Sequence, residues 1–211
     1  MKVAIMQPYF FPYIGYFQLI GSVDLFVIYD NIKYTKKGWI NRNRFLRNGA
    51  DCVFTVPVKK DSDALDVKDR AVAAEFDRRR LVNKLREAYR PAPHFEEGFP
   101  IVEKAVMAPC QNLFEYVHGS VVEVCRYLGI GTRIVPSSSL SIDAALKAQD
   151  RVLALCKAAG ASTTSTQSAV GSSITGRSSA RSAWSSNFSR RLSLSTRNSA
   201  IRSFPGCRSS M

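Results

Sequence analysis

"KVAIMQPYFFPYIGYFQLIGSVDLFVIYD", residues 2–30, decides the fold. Two short apolar runs, Lys2–Met6 and residues 25–29, frame a helical pattern over residues 13–21. Strands that are apolar at every position, rather than alternating, belong to parallel sheets buried on both faces. Strand, helix, strand is the βαβ unit, so the two runs are expected to be parallel neighbours. Between them, Pro8 and Pro12 bracket Tyr9, Phe10 and Phe11 in a turn that ends near Gly15.

Outward from this unit, "WINRNRFL" and "CVFTVPV" flank Asn48-Gly49, a strong hairpin signal. Residues 64–71 are ambiguous, with a further strand as one reading. "EFDRRRLVNKLREAYRPAPHF" reads as a helix stopped by Pro91 and Pro93, and residues 97–107 as a shorter one. Phe114, Val117, Val121, Val124, Cys125 and Leu128 recur at helical spacing, with Gly129 as the cap. Residues 133–135 form a strand. A last helix follows in "SIDAALKAQDRVLALCKAAGA", with Ser141 or Asp143 able to cap it. The fold class is α/β: a mostly parallel sheet flanked by helices, with a β-hairpin insertion.

The net charge of +13 is unevenly spread over the 211 residues. Residues 164–211 hold seven arginines and sixteen serines with no acid, so more than half the excess lies there. The body is only mildly basic, which fits a small anionic ligand as well as a polymer. A nucleic-acid-binding protein ranks third among the functional readings and nucleic acid is not an expected partner, because its best support is this segment. Five cysteines without a CxxC, and two histidines not spaced with them, give no zinc pattern; reduced thiols are expected. The amino terminus resembles a basic-then-apolar signal, but prolines interrupt it and no cleavage site follows. No run reaches the ~18 apolar residues of a membrane span. A cytoplasmic protein is expected.

In an open parallel sheet, ligands bind beyond the carboxyl ends of the strands. The turn after the first strand and Asp30 after the second both fall there. Gln7 can hydrogen-bond a ligand hydroxyl or amide. Tyr9, Phe10 and Tyr16 offer stacking faces, and Gly15 lets a phosphate approach the helix start. The competing reading for these rings, and above all for Phe10, Phe11 and Phe17, is core packing around a rigid turn. "NIKYTKKGWINRNR" supplies Asn31, Tyr34, Lys36, Trp39, Asn41, Arg42 and Asn43. Arginine clamps phosphate, asparagine reads hydroxyls, and Asp30 can act as a general base. For Lys36, Lys37 and Arg44 the plainer reading is a solvated basic hairpin. His94 reads as a loop histidine and His118 as one on a helix surface. No metal site and no cofactor is read from these residues.

"AIMQPYFFPYIGYFQLI", "DLFVIYDNIKYTKKGWINRNRF" and "FTVPV" together resemble the WbqC-like protein family of bacteria. The likeness continues more loosely through "YRPAPHFEEGFP" and "DRVLALCKAAGAST", covering about residues 2–163. It implies a transferase of surface-polysaccharide (O-antigen) biosynthesis. Such an enzyme adds glycine or another small group to a nucleotide-linked amino sugar. The alternative is a non-catalytic ligand-binding or accessory protein of the same process.

The family pattern also exposes the tail. It should continue after "GAST" with Tyr-Ile-Asn and a Gly-Gly turn, and end near "YPQF…FVPWLSIID". Thr164-Ser165-Thr166-Gln167 can be written ACA TCA ACG CAA, which one base back, after a T, reads Tyr-Ile-Asn-Ala. "TRNSAIRSFPGCRSSM", residues 196–211, permits "YPQFGDPFVPWLSIID" under the same shift at every position. We read residues 1–163 as the family domain, incomplete at its end. Residues 164–211 read as an out-of-frame, disordered tail that leaves this chain impaired.

Overall fold

A computed structural model describes residues 1–143, 146, 148–161 and 163–166, all within one compact unit, Met1–Ser172. Its centre is a parallel sheet of β1 (Lys2–Met6), β2 (Leu25–Ile28), β5 (Arg133–Pro136) and β6 (Thr163–Thr166), in the order β5-β2-β1-β6. The pairing of β1 with β2 is parallel, Val3 facing Leu25 and Met6 facing Ile28. The βαβ expectation holds.

The two strands are apolar throughout because both faces are covered. Ala4, Met6, Phe26 and Ile28 enter one core, while Val3, Ile5, Leu25 and Val27 enter another on the opposite face. Burying side chains of this size contributes about 1.5–3 kcal/mol each for the larger ones. The first core is covered by α1 (Ile14–Gly21), α2 (Arg78–Tyr89), α3 (Phe95–Met107) and α4 (Leu113–Leu128). The second lies under α5 (Ala148–Ala158), which contributes Leu155 and Cys156.

The hairpin is β3 (Arg42–Arg47) and β4 (Ala50–Thr55), antiparallel. Its turn residues Asn48 and Gly49 have φ of 52° and 77°, the left-handed pair that a two-residue turn requires. Asp77 caps α2 by accepting from Arg80 N, and Asn112 caps α4 by accepting from Glu115 N. Gly129 ends α4 with φ 67°.

Three readings need correction. Residues 64–71 are no strand but isolated bridges around a 3₁₀ turn at Val67–Asp69. Leu146 lies outside α5, so neither Ser141 nor Asp143 caps it. Strand β6 runs to Thr166, three residues into the segment assigned to the tail, with Ile5 opposite Thr166. Parallel pairing is made by backbone groups, so it tolerates altered side chains better than core packing does. The rest of the tail reading falls on residues outside the described ones.

Candidate functional site

The chain runs from β1 to β2 to β5 on one side of β1, then returns to β6 on the other. The strand order therefore reverses at β1, and it is at the carboxyl end of such a switch point that open parallel sheets bind their ligands. Residues 7–13 form the lip there.

Most of the rings in that lip face inward. Phe10 is fully buried and stacks on Tyr116 of α4, with centroids 5.2 Å apart. Tyr16 is 1% exposed and its hydroxyl donates to the Gln7 carbonyl at 2.9 Å, so it staples the turn and presents no open face. Burial, with Tyr9 and Cys125 adding to it, drives the Tyr16 pKa far up. Tyr9 is half-buried; its hydroxyl reaches Gln7 Oε1 at 3.4 Å, and Gln7 itself is exposed. A Cβ on Gly15 would sit 2.3 Å from the Tyr13 ring, so the glycine makes room for that ring.

Asp30 ends the β2 segment at 2% exposure. Its Oδ1 accepts from Ser137 Oγ at 2.8 Å and Ser138 N at 2.9 Å, and its Oδ2 accepts from Ser138 Oγ at 2.5 Å. Asn31 Oδ1 lies 2.5 Å from the same Ser137 hydroxyl. The carboxylate thus ties the end of β2 to the 3₁₀ turn Ser137–Ser139 after β5. Ser138 is exposed, so its hydroxyl joins the buried carboxylate to solvent.

A second group surrounds Tyr34. Its hydroxyl donates to Asn41 Oδ1 at 2.9 Å, and buried Asn41 donates from Nδ2 to the Val56 carbonyl at 2.6 Å. The Arg70 guanidinium lies over the Tyr34 ring, 4.7 Å from its centroid. Burial raises the Tyr34 pKa, opposed by the Asn41 hydrogen bond and then by the charges of Arg70, Arg42 and Lys36. Lys36 pairs with Asp63 at 2.8 Å, both exposed. The ring of Trp39, 39% exposed, carries Arg42 at 5.1 Å and Arg44 at 5.0 Å. Asn43 instead turns toward the aromatic lip, donating to the carbonyls of Phe10 and Phe11.

The proposed residues therefore fall into linked groups: Gln7, Tyr9 and Tyr16; Asp30 and Asn31; Tyr34, Lys36, Asn41 and Arg42, with Trp39 beside the last. Among the described residues no hydrogen bond or ring contact joins Asp30 to Trp39 or Arg42. The backbone does link the second group to the third, since Lys68 N donates to the Asp30 carbonyl and Arg70 follows two residues later.

One residue escaped the sequence reading and another was misread. Arg70 is 4% exposed yet charged, in a stretch whose pattern was ambiguous. His118 is no surface histidine: it stacks on Phe114 at 5.5 Å, and its buried Nε2 has no hydrogen-bond partner. Burial pushes its pKa down, with the Asp30 charge acting the other way. Its spacing from Phe114 was the available signal, one helical turn along an inward face. His94, by contrast, is exposed, 3.7 Å from Glu97. Among the described residues no three His, Cys, Asp or Glu side chains are grouped to hold a metal ion.

The profile of the WbqC-like protein family matches residues 7–178. A curated relative, "Uncharacterized protein Rv1507c" of Mycobacterium tuberculosis, is 31% identical over 162 residues, 76% of this chain and 69% of its own length. No solved structure matches. The chain belongs to the WbqC-like protein family.

Proposed function

We propose that the domain is a transferase of surface-polysaccharide (O-antigen) biosynthesis, acting in the cytoplasm on a nucleotide-linked amino sugar. The observation that carries this reading is the gathering of polar and cationic side chains on the loops after β1 and β2, at the reversal of strand order. Arg42, Lys36 and Trp39 suit the anionic, aromatic nucleotide. Gln7, Tyr9 and Asn31 suit sugar hydroxyls, and Asn41 and Asn43 hold the loops in place. Asp30 is the candidate base and works through Ser138. The exposed hydroxyl accepts the substrate amine's proton while passing its own to Asp30 Oδ2. This transfer accompanies attack of the neutral amine's electron pair on the acyl carbon of a small donor such as a glycyl ester. The tetrahedral adduct then collapses, the ester C–O bond breaks, and the departing alkoxide takes back the proton held on Asp30 through Ser138, leaving an amide and an alcohol.

In this reading residues 1–163 are the domain in its proper frame and residues 164–211 are translated out of frame. Strand β6 survives the slip because its pairing is through the backbone. The chain is therefore impaired rather than unfolded. Free thiols at Cys52, Cys110, Cys125 and Cys156 fit a reducing compartment.

The test is to restore the reading frame after the codon for Thr163 and compare the two chains. Binding of a nucleotide-linked amino sugar, and acyl transfer to it, should both rise in the restored chain. Saturable binding without transfer under any acyl donor would leave the second reading, an accessory ligand-binding protein. That reading is favoured by the full occupancy of the Asp30 oxygens.

A further inference from the structure

We propose that Arg70 and Arg42, beside Tyr34, form a phosphate-binding site whose central ligand is the buried Arg70 guanidinium. The inference deepens the transferase reading and rests on it for the identity of the ligand, a pyrophosphate-bearing nucleotide sugar.

Arg70 is 4% exposed, and its Nε is buried without a hydrogen-bond partner. One terminal nitrogen donates to the Ser62 carbonyl at 2.8 Å. Among the described residues no carboxylate forms an ion pair with it. Asp63, which feels its charge, is exposed and already paired with Lys36. A buried charge without a counter-charge is costly unless a partner arrives. The Nε of Arg42 is likewise buried and unpartnered, while its Nη2 donates to the Lys37 carbonyl. The charges of Arg70, Arg42 and Lys36 all act on the hydroxyl of Tyr34. Of these three cations only Lys36 forms an ion pair among the described residues, with Asp63, which leaves the two guanidinium groups without a carboxylate partner. Guanidinium forks match the oxygen geometry of phosphate, and these two are held in place by stacking on Tyr34 and Trp39. The segment carrying Arg70 is hydrogen-bonded to the loop after β2, through Val67 N to the Ile32 carbonyl at 2.8 Å and Lys68 N to the Asp30 carbonyl at 3.1 Å. The site thus lies in the loops that follow the carboxyl end of the sheet.

The test uses the full chain, titrated with inorganic pyrophosphate and separately with UDP-N-acetylglucosamine, read by calorimetry and by thermal unfolding. Arg70→Met should weaken pyrophosphate binding about tenfold to a hundredfold, the equivalent of one or two charged hydrogen bonds. Arg70→Met should also unfold at an equal or higher temperature without ligand, because an unpaired buried charge has gone. Arg79→Met, on the exposed face of α2, removes the same charge and should bind as the parent does. If Arg70→Met does not fold, Arg42→Gln is read in its place and should weaken binding by at least about tenfold. Pyrophosphate affinity unchanged in Arg70→Met or Arg42→Gln, or absent from the parent chain, would overturn the proposal. Arg70-dependent pyrophosphate binding without any binding of the nucleotide sugar would leave this site standing and remove the transferase reading. Nucleotide-sugar binding that ignores Arg70 would do the reverse.

Discussion

The side-chain amide of Asn43, at the start of the hairpin, donates to the Phe10 carbonyl at 2.9 Å, bridging 33 residues of sequence. The same nitrogen also serves the Phe11 carbonyl. Phe11 has φ 48°, a left-handed backbone that a phenylalanine adopts only when its surroundings enforce it. Asn43 thus fastens the aromatic lip of β1 to the hairpin. Asn43→Ala should cost about 1–3 kcal/mol, from the desolvated acceptors it leaves behind. Urea unfolding should show the midpoint falling at constant slope. Asn43→Asp, of equal size but without the donor, should be at least as damaging.

This fastening explains which parts of the molecule were legible in the sequence. The run from Lys2 to Asp30 carried its own signal, because a strand buried on both faces is apolar at every position. The Asn48-Gly49 turn was legible for an equally local reason, its two positive φ angles. The candidate site was less so. Tyr16, Asn41 and Asn43 are polar residues close to the right loops, yet all three make hydrogen bonds within the protein. No local pattern separates such a residue from one that waits for a ligand. Arg70 went unseen, and His118 was misread as a surface histidine, because the burial of the one and of the other's Nε2 depends on elements distant in sequence.

Asp30 carries a structural load as well as its proposed proton. Asp30→Ala should destabilise the protein by about 3 kcal/mol, since hydrogen bonds to charged groups contribute ~1.5–3 kcal/mol each and are not additive. Ser138→Ala isolates the relay: it removes one of the three donors to the buried carboxylate and should cost about 1.5–3 kcal/mol while leaving the other two in place. In the frame-restored protein the same change should slow acyl transfer at least about tenfold, within the range expected of general-base catalysis. A Ser138→Ala protein with unchanged transfer would exclude the relay.

His118 gives the protein a defined acid sensitivity. Its pKa in the folded chain is lowered, first by burial, from the usual value near 6.5. As pH falls through about 6.5 the unfolded chain takes up a proton that the folded chain does not, so stability drops. The loss continues until pH reaches the lower folded pKa and then levels off. His118→Phe keeps the stacking on Phe114 and removes the unpartnered Nε2. The difference in urea midpoint between the two proteins should be small at pH 7.5 and should widen toward pH 5 in favour of phenylalanine. A difference independent of pH would mean that the ring is not held neutral.

The carboxyl end offers the sharpest test of the reading-frame argument. Strand β1 is hydrogen-bonded on both sides, to β2 and to β6, with Lys2 opposite Thr163 and Ile5 opposite Thr166. Cutting the chain after residue 162 strips one edge of β1 and leaves its buried backbone groups without partners, a loss of about 1–3 kcal/mol for each group that water cannot reach. That chain should be markedly less stable and prone to aggregate through the new edge. Cutting after residue 178, where the family match ends, keeps β6. The remainder contains Trp184, Phe188, Leu192, Leu194, Ile201 and Phe204 among serines and arginines. Burying these six returns about 1.5–3 kcal/mol each, against roughly 1–2 kcal/mol of backbone entropy for every residue ordered with them. The chain ending at 178 should therefore match the full chain in unfolding free energy, from urea titration, to within about 0.5 kcal/mol. If it unfolds more easily by 2 kcal/mol or more, the last residues form a selected structural element, and the single-base slip is the wrong account of them.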